Sequence, residues 1–203
     1  MLASDDTIAA IGSAAGGAAR GMVRVAGPRA IDVVAGVFTP IDASAALAEV
    51  RAASVVPGSI RLASEPPLTL DCDLFVWPNE RSYTREPLVE LHLLGSPPLL
   101  HAVLDEVCRQ GARLAGPGEF TLRAFLAGRI DLTQAEAVLG VIDARGDADL
   151  KTALRQLAGG LSGPLDQLRD RLLDLLAHLE AGLDFAEEDI EFITAEELAG
   201  QLA

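Results

Sequence analysis

Cysteine is scarce in this chain of 203 residues: only Cys72 and Cys108 occur, with neither CxxC spacing nor a third ligand close by. That excludes a disulfide-stapled scaffold and a zinc ribbon, and predicts reduced, buried thiols in a cytosolic protein. Aromatic residues make up 4% of the chain, so the core is expected to be aliphatic. Cations are also short: 16 Lys and Arg stand against 30 Asp and Glu, a net charge of −14. This argues against broad binding of a nucleic-acid backbone, which needs clustered positive charge; any nucleic acid should be held mostly by another domain or partner. No apolar run reaches the ~18 residues that span a bilayer, and the start "MLASDDTIAA" lacks a basic signal-peptide head. The expectation is a soluble, cytoplasmic protein.

Several chemical motifs are missing as well. No GxxxxGK[ST] is present, so no phosphate-cradling loop for a nucleoside triphosphate is expected. The glycines of "AAGGAARG" lack GxGxxG spacing and read as a turn, with close approach of a ligand as the other option. His92, His101 and His178 lie far apart, so no metal site is expected. No nucleophile–histidine arrangement is legible, and no catalytic residue is assigned.

What is present is half hydrophobic and well patterned. "IAAIG", "GMVRVAG", "SVVPGSIRLA", "DCDLFVWP" and "PLVELHLLG" read as strands, "ARLAG" as a closing strand and "RSYTRE" as a polar loop. Helices are expected over "GPRAIDVVAGVF", more weakly over 40–53, and over "SPPLLHAVLDEVCRQG", with Ser96 as cap and Gly111 at the end. From about residue 119 the pattern turns helical. Phe120, Leu122, Phe125 and Leu126 mark a short helix stopped by Gly128, and Thr133 with Glu136 reads as a capping box for the next. A long helix then carries Leu165, Leu168, Leu172, Leu175, Leu179 and Leu183 as a narrow seam that needs a partner surface, before an acidic end containing Glu187, Glu188, Asp189 and Glu191. The fold class is α+β: a mixed α/β domain over 1–118, then an all-α domain over 119–203.

Three charges stand out. Arg24 interrupts the apolar run "MVRVA" and Glu90 interrupts "LVELH", where an unpaired charge would be costly. Two readings are open: the charges pair with one another or face solvent, or a ligand supplies their partners. Arg129 sits in the tight link of "PGEFTLRAFLAGRIDLTQAEA", either as an ordinary surface residue or as a ligand contact.

"DTIAAI", "VRVAG", "SYTRE", "VELHLLG", "GARLAGPGEFTLRAFLAGRIDLTQAEAV", "IDA" and "HLEAGLDFAEEDIEF" occur in that order. In this pattern the chain resembles the N-terminal and first helical regions of the tRNA-modification GTPase family MnmE, also called TrmE. The likeness covers nearly the whole chain and is weakest from about residue 40 to 70. It implies a domain similar to folate-dependent one-carbon enzymes, which dimerises and binds 5-formyl-tetrahydrofolate or a related tetrahydrofolate. It also implies a flavin-dependent partner of the MnmG or GidA type, acting on the wobble uridine of tRNA, which this chain would meet only indirectly. GTP, magnesium and potassium would belong to a G domain expected beyond Ala203. The family's folate contacts fall on Arg24, Glu90 and Arg129, with Glu90 on the pterin and the arginines on carboxylate or carbonyl groups. The chain departs from the family where "PPGRGGIG" is "AAGGAARG" and where "ELHCHGG" is "ELHLLGS". The expected function is a folate-binding and dimerisation module for carboxymethylaminomethyl-type wobble modification. The alternatives are a dimerising scaffold without ligand, and a stand-alone folate-dependent transferase with His92 as its one acid–base candidate.

Overall fold

Alternating burial along "LVELHLLG" makes a strand with two distinct faces, and this alternation organises the first part of the molecule. A computed structural model describes residues 6–42, 46–64, 66–160, 162–184, 194 and 199–200. It divides into two compact units, Met1–Ile130 and Asp131–Ala203.

The first unit is α+β. Its strands are β1 (Ile8–Ile11), β2 (Ala18–Ala26), β3 (Phe38–Pro40), β4 (Ser54–Leu62), β5 (Leu68–Trp77), β6 (Leu88–Gly95) and β7 (Arg113–Leu114). They form one sheet in the order β3-β4-β5-β6-β2-β1-β7. Every pairing is antiparallel except the parallel contact of β1 with β7. Helices α1 (Ala30–Ala35) and α2 (Pro97–Arg109) supply Val33, Val34, Leu100, Val103 and Val107 to the main core. There they join Val23, Val25, Val89, Leu91, Leu74 and Ile60 from the sheet. The core is aliphatic apart from Phe38 and Cys72, in keeping with the few aromatic residues.

Helix α3 (Glu119–Leu126) belongs to this first unit. The division therefore falls after Ile130, one helix later than the sequence pattern placed it. The reason is packing: Phe120 joins a second, smaller core of Ile8, Ala26 and Leu88, while Ala124 is fully buried. The helical piece expected over 40–53 reduces to the end of β3 and a 3-10 turn at Leu47–Glu49; residues 43–45 lie outside the described set. Ser96 does precede α2, but its hydroxyl makes no capping bond. Pro97 and Pro98 occupy the first turn and bring no N–H for it to accept.

The second unit contains α4 (Leu132–Asp143), α5 (Asp147–Leu157) and α6 (Ser162–Asp184). Its first cap differs from the expected Thr133–Glu136 box. Asp131 is the N-cap, its carboxylate accepting from Gln134 N at 2.8 Å while the Gln134 side chain accepts from Asp131 N at 3.0 Å. Thr133 lies inside the helix and donates to Asp131. Helices α4 and α5 approach through small residues: Ala137 and Ala153 are buried, and a Cβ on Gly140 would sit 3.3 Å from that of Ala153. Along the leucine seam of α6 only Leu175 is buried among the described residues, while Leu165, Leu168, Leu172, Leu179 and Leu183 are exposed. The acidic stretch from Glu187 to Glu191 falls outside the described residues.

Candidate functional site

The sheet face opposite α1 and α2 carries the charges that looked misplaced. Strands β2 and β6 are neighbours in a register that sets Arg24 across from Glu90, and β5 sets Phe75 across from Glu90 on the other side. Arg24 Nε and Nη2 lie 2.9 and 2.7 Å from the same carboxylate oxygen, Glu90 Oε1. The second oxygen, Oε2, meets His92 Nε2 at 3.0 Å. Of the two readings left open by the sequence, the structure pairs the charges with each other.

Aromatic side chains frame this pair. The Arg24 guanidinium lies 5.6 Å from the ring centre of Phe120 and 5.8 Å from that of Tyr83, within cation–π range. Phe75 packs on His92 at 4.4 Å and on Trp77 at 6.4 Å. Half of the chain's few aromatic residues thus gather around one charged pair. Sequence reasoning missed this, although alternation along "DLFVW" places Phe75 and Trp77 on one face. Beside His92 the same region opens into a shallow depression of about 280 Å³, lined by Arg20, Asp71, Asp73 and Leu94 among others.

A second charged group fixes the rim. Arg123 is only 9% exposed and is held by Asp6, Glu86 and Glu119. Arg113 bonds Asp6 at 2.6 Å and Glu119 at 2.7 Å. The bond from Arg113 brings the Glu119 carboxyl down to about 2 against the opposing effect of burial, with help from the Gly116 N–H and Arg123. Burial pushes Asp6 upward, but its bonds to Arg113 and Arg123 outweigh this and hold it below its ordinary value. This clasp ties α3 to β7 and to the segment before β1, so it holds Phe120 beneath Arg24. None of its members was singled out from the sequence, because each is an ordinary surface charge by type.

Arg129 is placed differently. Helix α3 ends in a Schellman motif, with Gly128 at φ +67°, its N–H on Phe125 O at 2.9 Å and Arg129 N on Ala124 O at 2.8 Å. The Arg129 side chain is exposed, and among the described residues no hydrogen bond or ion pair joins it to Arg24 or Glu90. One loop does reach both places. Tyr83 lies against Arg24, and Arg85 donates to Gly128 O at 3.4 Å from a left-handed backbone at φ 56°. Tyr83 and Thr121 hydroxyls also meet at 3.1 Å.

Cys72 is buried, and burial pushes its thiol up to about 12, so it is an inert packing residue. Cys108 is half-buried rather than fully buried. His101 and His178 are exposed on helices. No metal-binding group of His, Cys, Asp and Glu occurs among the described residues. Among them, too, no helix is long and apolar enough to cross a membrane. A carboxylate on a half-buried sheet face, rimmed by aromatic rings and cations, can accept N–H donors from a flat heterocycle while the cations meet anionic groups.

Fold and site together define a class: a mixed-sheet domain with a charged, aromatic-rimmed face, followed by a helical unit. The profile described as GTP-binding protein TrmE N-terminus matches residues 7–129, and that of the MnmE helical domain matches 132–203. The chain is 52% identical over 200 residues to the tRNA modification GTPase MnmE of Rhodopirellula baltica, covering 98% of this chain and 42% of that protein. It is 47% identical over 186 residues to the protein of that name from Synechococcus sp., covering 90% of this chain and 39% of the relative. With that of Thermus thermophilus it shares 40% identity over 191 residues, 94% of this chain and 43% of the relative. The chain belongs to the MnmE/TrmE family, and spans about two fifths of the length of these curated relatives.

Proposed function

We propose that this chain is the folate-binding and dimerisation module of a tRNA modification GTPase acting in carboxymethylaminomethyl-type modification of the wobble uridine. The observation that carries this reading is the Arg24–Glu90 pair, side by side on a half-buried sheet face with the Arg24 guanidinium over Tyr83 and Phe120. In it, Glu90 accepts from an N–H of a pterin, and Arg24 and Arg129 meet the carboxylate or carbonyl groups of 5-formyl-tetrahydrofolate or a related tetrahydrofolate. Arg129 lies in the same unit, and the loop carrying Tyr83 and Arg85 connects its link to the pair. The module would work as a cytoplasmic homodimer with a flavin-dependent protein of the MnmG or GidA type, meeting tRNA indirectly in that complex. Having no phosphate-binding loop in its sequence, the chain is expected to leave GTP intact when tested alone.

A second reading, a dimerising scaffold without ligand, is favoured by one feature: both oxygens of Glu90 already have partners within the chain. Calorimetric titration with 5-formyl-tetrahydrofolate separates the two. Saturable binding that disappears in a folded Glu90→Ala variant is expected. A folded, dimeric parent that takes up no folate would leave the scaffold reading standing. Sedimentation velocity checks the dimer.

A further inference from the structure

The hydrogen bonds of Glu90 are distributed unevenly. A guanidinium and a carboxylate ordinarily meet as a fork, one N–H to each oxygen. Here Nε and Nη2 of Arg24 both fall on Oε1, at 2.9 and 2.7 Å, and the other oxygen belongs to His92 at 3.0 Å. An ionised carboxylate only accepts, so the imidazole donates its Nε2 proton to Oε2. His92 is itself held in place: Phe75 packs against its ring at 4.4 Å. Its cross-strand neighbour Asp73 is taken up by Arg20 and does not compete for the imidazole.

A carboxylate offers about four lone-pair directions. The Arg24 Nε–H uses one on Oε1, where Nη2 also crowds in at 2.7 Å, and His92 uses one on Oε2, so the open direction lies on the oxygen that His92 holds. A contact on Oε1 alone restrains the carboxylate plane at one point, and the bond to His92 on Oε2 supplies the second point that fixes it.

We infer that His92 is a positioning residue for ligand recognition: it keeps Oε2 out of the Arg24 fork and fixes the plane of the carboxylate, so that Glu90 presents an open acceptor. This rests on the reading of Glu90 as the pterin contact. Without the imidazole, Arg24 slides into the symmetrical fork and covers both oxygens. The protein then keeps or gains stability while losing affinity. A merely structural histidine would behave in the opposite way.

The test uses the whole chain and four proteins: the parent, His92→Leu, His92→Gln and Glu90→Ala, each titrated with 5-formyl-tetrahydrofolate and unfolded with urea. Leu cannot donate to Oε2, whereas the Gln amide can. The expected result is about tenfold weaker binding by His92→Leu, about 1.4 kcal/mol, with an unfolding midpoint equal to the parent's or higher. His92→Gln should recover most of the affinity. Equal affinity in parent and His92→Leu overturns the inference while leaving the site intact, as does equal loss in His92→Leu and His92→Gln. Absence of binding by the parent overturns the site reading and this inference with it. Nitrogen NMR of the imidazole gives a check without ligand: the parent must show His92 protonated at Nε2, and a ring protonated only at Nδ1 refutes the bond.

Discussion

Arg24 donates its Nε–H to one oxygen of Glu90 at 2.9 Å, with Nη2 2.7 Å from the same oxygen, across adjacent antiparallel strands. The two residues are 66 positions apart in sequence, and the sheet register alone brings them together. Removing one partner leaves the other charge half-buried without compensation. Arg24→Ala is therefore expected to cost about 2 kcal/mol of stability. The double variant Arg24→Ala/Glu90→Ala should lose clearly less than the sum of the two single changes. Urea unfolding of all four species measures the coupling, and strict additivity would show that the pair contributes nothing beyond its separate parts.

The clasp around Arg123 makes the first unit sensitive to acid. Arg113, Gly116 N and Arg123 hold the Glu119 carboxyl at about 2 in the folded chain, against an ordinary value of 4.5. A depressed carboxyl contributes stability that is fully present above its unfolded pKa and is lost as pH falls through the folded one. Between pH 4.5 and about 2 the parent should therefore lose stability more steeply than Glu119→Gln, which starts lower at neutral pH. Parallel curves of unfolding free energy against pH for the two proteins would exclude Glu119 as the source.

Arg85 is the one non-glycine residue with a positive φ among those described, at 56°. Its side chain is exposed and its bond to Gly128 O is long, at 3.4 Å. Backbone strain should outweigh that bond, so Arg85→Gly is expected to stabilise by about 1 kcal/mol. A fall in the thermal midpoint would mean that the guanidinium bond holds the Gly128–Arg129 link more firmly than its length implies.

Asp131 caps α4 and also accepts from Ser162 at the start of α6, at 2.7 Å. The Ser162 bond comes first among the causes that hold its carboxyl below the ordinary value, followed by the Gln134 N–H and the Thr133 hydroxyl. Asp131→Ala should destabilise the helical unit by about 1 kcal/mol or somewhat more, and Asp131→Asn should restore part of this. Helical circular dichroism during thermal unfolding reads the difference. Thr133→Ala, which keeps the cap, is expected to cost less than Asp131→Ala.

Much of the fold can be read locally. Alternation along "LVELHLLG" and "GMVRVAG" marked β6 and β2, and placed Glu90 and His92 on one face. The stop of α3 at Gly128 was legible because a left-handed residue there suits glycine and allows the Schellman bonds. The cap of α4 was misplaced for a definable reason. Asp131 with Gln134 and Thr133 with Glu136 both fit a capping pattern, and the choice between them depends on Asp131 adopting an extended backbone and on Ser162 reaching it from another helix. The exposed seam of α6 was visible as periodicity, but periodicity does not say what covers it. For the candidate site, the sequence singled out Arg24 and Glu90 because charge is costly inside an apolar strand.

By itself, then, the sequence determined the kinds and order of the main elements outside residues 38–53, the face each of its strand side chains occupies and the two charges that needed partners. Those properties follow from backbone dihedrals and side-chain periodicity within a few residues. Only the tertiary structure decided that Arg24 and Glu90 pair, that His92 takes the second oxygen, and that Phe75, Tyr83 and Phe120 gather around them. It also decided that Arg113, Arg123, Asp6, Glu86 and Glu119 lock α3 onto the sheet. The physical reason is that hydrogen bonds and cation–π contacts act over a few ångströms, between groups that only strand register and helix docking bring within reach.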